Sequence, residues 1–171
     1  MCYKLRPVYL VTFFCVFSLY GAIQKPNIVV FISDDLGRWD TSIHGSKDAR
    51  TPTMERLAAE GMTFDDAYVA SPSCCPSRFS LLTGLMPARH GAHPNHSKVK
   101  PGTQFLPPIL KKMGYHIASF GKIAHGNKKF EGLDFNEAKR TDMCVEVEKY
   151  FKKNKMEGPI CLLVGDRRPH V

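Results

Sequence analysis

Asn27-Ile28-Val29-Val30-Phe31-Ile32-Ser33-Asp34-Asp35 carries the reading of the fold. Asn27 opens it, and Ile28 to Ser33 is a continuous apolar run rich in β-branched residues. Such a run, without polar alternation, predicts a central strand of a parallel sheet covered on both faces. Two carboxylates follow at the carboxyl end of that strand, which is where open α/β sheets place their ligands. The same grammar recurs twice. Tyr115-His116-Ile117-Ala118-Ser119-Phe120 predicts a second strand, released into Gly121-Lys122-Ile123-Ala124-His125-Gly126. Ile160-Cys161-Leu162-Leu163-Val164 predicts a third, released into Gly165-Asp166-Arg167-Arg168-Pro169-His170. Apolar strands that each end in charged residues, with helices between them, make an α/β chain with a mainly parallel sheet flanked by helices.

The intervals read as helices. Thr51 to Gly61 has a capping threonine, Pro52 at the first helical position and a glycine stop. Its stripe of Met54, Leu57 and Ala58 is assigned to packing. Phe64 to Ala70 then predicts extended chain. Ser73-Cys74-Cys75-Pro76-Ser77-Arg78-Phe79-Ser80-Leu81-Leu82-Thr83-Gly84 predicts a tight turn entering a short helix, with Pro76 in its first turn and Gly84 as the stop. Thr103 to Met113, stopped by Gly114, and the amphipathic stretch 141–153 complete the set. His90, His93 and His96 read as part of a Gly/Pro/Asn-rich surface loop rather than a metal site, because carboxylate or cysteine partners are absent locally. The loop's second reading is contact with substrate at a pocket rim.

The 171 residues are enough for one modest domain, and 43% hydrophobic with 23% charged residues is ordinary for a globular chain. Met1 to Ala22 has the layout of a secretory signal peptide: Lys4 and Arg6, an apolar run from Val8 to Tyr20, then small Gly21 and Ala22. That run is shorter than the roughly 20 residues of a comfortable membrane span. The remaining chain carries 22 basic and 16 acidic residues, a balance of +6, which tolerates acidic partners such as sulfated glycans. The lysine pairs at 111–112, 128–129 and 152–153 read as solvated faces. No basic motif is interleaved with aromatics, so nucleic acid is not an expected partner. Cys74, Cys75, Cys144 and Cys161 show no paired zinc spacing. A Cys144–Cys161 disulfide and buried free thiols both remain open.

The chemistry concentrates at three places. Cys74 stands at the start of a helix, where free N–H groups and the dipole favour anions. Arg78, one turn inside, offers a planar fork suited to a tetrahedral oxyanion. Asp34 and Asp35, side by side, would repel unless a hard divalent cation resolved the conflict; a solvated acidic turn is the other reading. Lys122 supplies a point charge and His125 a proton-transfer group, although a lone lysine and histidine in a loop are usually just solvated.

Cys74-x-Pro76-Ser77-Arg78 followed by Leu82-Thr83-Gly84 resembles the sulfatase signature. Shorter matches stand in the same order along the chain. They are Pro26-Asn27-Ile28 into Asp34-Asp35, Thr51-Pro52 with Leu57-Ala58, Gly61-x-x-Phe64-x-x-Ala67-Tyr68, Pro87-x-x-His90-Gly91, Gly114-Tyr115, Gly121-Lys122-x-x-His125 and Pro169-His170. The resemblance implies an alkaline-phosphatase-like sulfatase fold. It implies that Cys74, and not Cys75 in the variable place, is oxidised to formylglycine by a formylglycine-generating enzyme. Its hydrate would attack sulfur, and its collapse would expel sulfate. By the same resemblance Asp34, Asp35 and the residue derived from Cys74 would bind Ca²⁺. Arg78 would hold the formylglycine hydroxyls, Lys122 and His125 would contact sulfate, and His170 would protonate the leaving group.

The expected function is hydrolysis of a sulfated carbohydrate or aryl sulfate in the secretory pathway, in the lysosome or outside the cell. The Lys122-x-x-His125 spacing resembles glycan-acting relatives of the N-sulfoglucosamine and iduronate type. A phosphonate or phosphate monoester hydrolase of the same superfamily and an inactive glycan-binding fragment are the alternatives. The family's later metal-ligand segment, a further lysine and its smaller C-terminal subdomain have no counterpart before Val171. The resemblance therefore reads residues 23–171 as the N-terminal portion of a catalytic domain, with the sheet incomplete at its C-terminus.

Overall fold

The structure is a computed structural model that describes residues 24–124, 131–138 and 142–169. The signal-peptide expectation for residues 1–22, and His125 and His170, lie outside the described residues. Strand β1 is Ile28–Asp34, helix α1 is Pro52–Glu60, α2 is Cys74–Thr83 and the single turn α3 is Pro87–His90. Helix α4 is Leu106–Lys112, β2 is His116–Gly121, β3 is Phe135–Glu137, α5 is Met143–Lys153 and β4 is Ile160–Pro169. The four strands form one parallel sheet in the order β1-β4-β2-β3.

Each of the three predicted strands forms. Their side chains divide by period-2 alternation. Ile117, Cys161 and Leu163 face α2 and pack with Cys75, Phe79, Leu82 and Leu110. Ala118, Phe120, Leu162 and Val164 face α5 and pack with Met143 and Tyr150. Fully burying a side chain such as Phe120 or Leu163 stabilises the fold by roughly 1.5–3 kcal/mol.

The predicted cover on both faces of β1 fails. β4 pairs with only one of its edges, so β1 borders the described sheet. Ile28, Val30 and Ile32 pack on the α2 side, while Val29 and Phe31 are 63% and 62% exposed. Helix α5 covers β2 and β4 and stops short of this outer strand. The stripe of α1 is also not packed: the helix has no buried residue, and Leu57 is exposed. Residues Phe64 to Ala70 form turns and irregular chain, not a strand.

The Cys144–Cys161 disulfide is absent: all four described cysteines are free thiols. Cys161 belongs to the layer facing α2, whereas Cys144 stands exposed on α5, across the sheet. β3 escaped the sequence reading because Phe135–Glu137 has three residues and no apolar run. None of the described helices is long and apolar enough to cross a membrane.

Candidate active site

The punctuation of α2 works as its residues predict. The helix begins at Cys74 and ends at Gly84, which adopts a left-handed φ of 67° and donates its N–H to Ser80 O at 2.8 Å. Ser73 at the N-cap makes no side-chain cap, so its hydroxyl takes up none of the first-turn N–H groups. Cys74 is half-buried, and its thiol donates to Asn95 Oδ1 at 3.6 Å. Cys75 is fully buried, with its thiol aimed at Ser97 O at 3.5 Å. Burial pushes the Cys75 thiol pKa up against several opposing hydrogen bonds, which keeps it protonated and inert. The two adjacent cysteines thus separate into an accessible one and a packing one.

Arg78 ties three elements together. Its Nη2 donates to Asp34 Oδ1 at 2.8 Å, and its Nη1 donates to the backbone carbonyl of Lys122. The Lys122 ammonium bonds the other oxygen of Asp34. Asp34, Arg78 and Lys122 are 2%, 5% and 9% exposed, so this is a buried carboxylate between two buried cations. Burial pushes the Asp34 carboxyl up, but the hydrogen bonds from Lys122 and Arg78 outweigh it and hold the pKa below the ordinary value.

Two glycines let the strand ends close on this centre. Gly121 of β2 pairs with Gly165 of β4, and Lys122 N–H donates to Gly165 O at 2.8 Å. A Cβ at Gly165 would collide with the Lys122 carbonyl, and one at Gly121 with the Gly165 carbonyl. A side chain at Gly165 would push away the Lys122 carbonyl that Arg78 grips, and one at Gly121 would displace the Gly165 carbonyl that accepts the Lys122 N–H.

Asp35 does not join the buried cluster. It has a φ of 60° and is exposed, while Asp34 points inward. The two carboxylates therefore project differently, and no group of three or more potential metal ligands occurs among the described residues.

The histidine loop departs from the sequence reading. His93 and His96 are exposed, but His90 ends α3 and is fully buried. Ala92 N–H donates to its Nδ1 at 3.1 Å, so in the neutral ring Nε2 carries the proton and donates to Ser80 Oγ at 3.1 Å. Burial pushes the His90 pKa down, a backbone hydrogen bond at Pro76 opposes this, and the charges of His93 and Lys100 reinforce it. A neutral His90 braces the far side of α2. The loop after it, through Asn95 and Ser97, reaches the start of α2 at the two cysteines. Sequence reasoning missed Asn95; its only signal was membership of the loop assigned to the pocket rim.

The sulfatase family model matches residues 26–163. This chain belongs to the sulfatase family. It is 38% identical over 121 residues to the N-acetylgalactosamine-6-sulfatase of Rattus norvegicus, covering 63% of this chain and 23% of the relative. It is 40% identical over 118 residues to the N-acetylgalactosamine-6-O-sulfatase of Bacteroides thetaiotaomicron, covering 66% and 23%. The solved structure of BT4656 in complex with its substrate D-glucosamine-2-N,6-O-disulfate superposes with a TM-score of 0.76 at 26% identity, covering 86% of this chain and 35% of that one. The sulfatase described here spans about a quarter of the length of those curated relatives. Its parallel sheet flanked by helices is the sulfatase, alkaline-phosphatase-like fold that the signature implied.

Proposed function

We propose that the protein is a sulfuric ester hydrolase that releases sulfate from a sulfated carbohydrate, using a formylglycine made from Cys74. The observation that carries this reading is the placing of Cys74. It is the accessible first residue of α2, one turn before the arginine that joins Asp34 to the Lys122 segment. The sulfated sugars named for the relatives support a glycan over a simple aryl ester.

A hydrated aldehyde at position 74 supplies one hydroxyl to attack sulfur and a second whose proton loss lets sulfate leave. The residues of the chain set up that chemistry. The first N–H groups of α2 face the developing negative charge, and the dipole of the ten-residue helix adds to their attraction. Arg78 holds the floor of the site and orients the hydroxyls at position 74. Lys122 and His125 contact the sulfate, and His170 gives a proton to the leaving oxygen. A formylglycine-generating enzyme in the secretory pathway is the required partner, and the lysosome or the extracellular space is the expected place of action.

For a cation, the donor chemistry is of the right kind, since carboxylate oxygens suit Ca²⁺, which takes six to eight oxygen ligands at about 2.3–2.6 Å. Asp34 is buried and Asp35 exposed, so the two do not yet form a ligand pair. Asp34 and Asp35, with the residue derived from Cys74, would hold it. The described residues offer only part of such a shell. Asp34, already engaged by Arg78 and Lys122, would bind through its remaining lone pairs. A bound cation would polarise the sulfate oxygens.

The test is Cys74→Ala in the whole protein produced through a competent secretory pathway. Sulfate release should fall to background with the unfolding transition unchanged. Mass spectrometry of the peptide spanning Cys74 should show the aldehyde in the unsubstituted protein. Retained turnover, or a position 74 that stays a thiol in active material, overturns the reading. Parallel assays on a heparan-derived oligosaccharide, an aryl sulfate and an aryl phosphate should show release from the glycan first. Preferential phosphate release would move the assignment to a phosphomonoester hydrolase.

A further inference from the structure

Among the described residues, Arg167 Nε is a buried side-chain nitrogen with no hydrogen-bond partner. A buried N–H without an acceptor bears the full desolvation penalty of that group, so its persistence calls for a reason. Its neighbour Arg168 behaves differently. Arg168 is exposed and fully engaged with Asp166, through Nε at 3.1 Å and Nη2 at 2.8 Å.

The strand sets where the two arginines go. On β4, Leu162 and Val164 face α5, and Arg168 also feels the charge of Asp142 at the start of α5. Cys161 and Leu163 face α2. β4 bulges against β1 here, advancing four residues from Gly165 to Pro169 against two from Ile32 to Asp34. Asp166 and Arg168 join side chain to side chain within this bulge, and Arg167 stands between them. Arg167 also lies between two rungs that carry the site. The Gly165 carbonyl accepts from the Lys122 N–H, and Pro169 pairs with Asp34. Arg78 and Lys122 both pair with Asp34, whereas no ion pair joins Arg167 to an acid among the described residues.

We propose that Arg167 is a substrate-binding residue that donates its Nε–H to an oxygen of the sulfate group. This rests on the sulfatase reading above. A guanidinium presents Nε–H and Nη–H as a planar fork that matches two oxygens of a tetrahedral anion, which an ammonium cannot do. The anion oxygen supplies the acceptor that the folded chain lacks.

The test is a titration of the ¹⁵N-labelled protein with inorganic sulfate. It is followed at the Arg167 Nε–H resonance, assigned through its own backbone amide, and at the Cys75 and Ser77 amides in the first turn of α2. All three should shift with one common Kd. Arg167→Lys, which keeps the charge and removes the fork, should raise that Kd by about tenfold, the loss of one charge-assisted hydrogen bond. Arg168→Lys should leave it unchanged. If the α2 amides shift while Arg167 Nε–H stays still, or if Arg167→Lys binds as tightly, the assignment of Arg167 fails and the sulfate pocket stands. If nothing shifts, both fail.

Discussion

Two aspartates, at opposite ends of the same sheet, are held in different ways. Asp34, at the carboxyl end of β1, is 2% exposed and lies between Arg78 and Lys122, so bulk solvent screens the three charges little. Asp134, just before β3, is 19% exposed; it accepts the Ile117 N–H at 2.9 Å and pairs with Lys111 and with His116 Nδ1 at 3.5 Å. His116 passes the connection on to the Tyr150 hydroxyl. The Asp134 chain joins α4, β2 and α5, and its acceptors are satisfied by backbone and surface groups. The Asp34 centre gathers two cations around one acid beside a helix N-terminus. The first arrangement is a brace. The second keeps two cations and one acid out of water, an imbalance of charge that the proposed sulfate site would use.

Neutralising each aspartate tests this contrast most strongly. Asp34→Asn leaves Arg78 and Lys122 buried without a counter-charge and should cost roughly 3–5 kcal/mol. Asp134→Asn keeps an acceptor for Ile117 and loses only a half-exposed Lys111 pair, so it should cost about 1 kcal/mol or less. Urea midpoints at constant m give both numbers. Equal losses would erase the distinction between centre and brace.

Burial of a neutral histidine beside α2 comes next. The His90 pKa is lowered on folding, so its contribution is full above the unfolded value near 6.5 and declines as pH falls from there through the folded value. His90→Gln should remove that decline. It should also cost about 1–3 kcal/mol by leaving Ser80 or Ala92 poorly matched. Thermal melts between pH 5 and pH 8 would show it; an unchanged pH slope would mean that His90 is not sequestered.

Acid should act on both aspartates. Each has a depressed pKa: burial raises it, and the bonds from Lys122 and Arg78 for Asp34, and from Lys111 and Ile117 for Asp134, outweigh that. Their stabilisation is present above about pH 3.9 and is lost as pH falls through the folded values. The Asp34→Asn variant should unfold in acid with a shallower dependence on pH than Asp134→Asn, because the larger electrostatic contribution has already gone.

The smallest effect belongs to the far end of the brace. Tyr150→Phe keeps the ring contacts with Phe135 and Phe120, at 4.5 and 5.5 Å between centroids, and loses only the hydroxyl link to His116. About 0.5–1.5 kcal/mol should disappear, with sulfate release untouched. A drop in turnover would show that the two ends of the sheet communicate.

Sequence reading reached the parts that local rules govern. The runs at 28–33, 115–120 and 160–164 announced strands because β-branched apolar residues fit a pleated, buried surface. Pro76 and Gly84 announced the limits of α2, and the four-residue step from Cys74 to Arg78 placed both on one turn-to-turn line of that helix. The strand-end positions of Asp34 and Lys122 followed from the same runs. Their joining to Arg78 could not be read, because it depends on residues 44 and 88 positions apart meeting in space.

His90 shows the limit clearly. A histidine among glycine, proline and asparagine looks solvated, yet here it is enclosed by α2 and α3. Phe31 shows the opposite error, an apolar strand residue left 62% exposed because β4 lies beside β1 on one edge and α5 does not reach it. Arg167 and Arg168 are chemically identical neighbours. Only the folded course of β4 brings one of them onto Asp166, two residues back, and leaves the other a buried donor. By itself the sequence of this sulfatase determined three of the four strands and the site helix that begins at Cys74, since backbone propensity and capping act within a few residues. The tertiary structure alone decided the strand order, the burial of His90 and the sharing of Asp34 between two cations. Those outcomes turn on which apolar faces meet and which charges lose their water, and both are set between segments far apart in the chain.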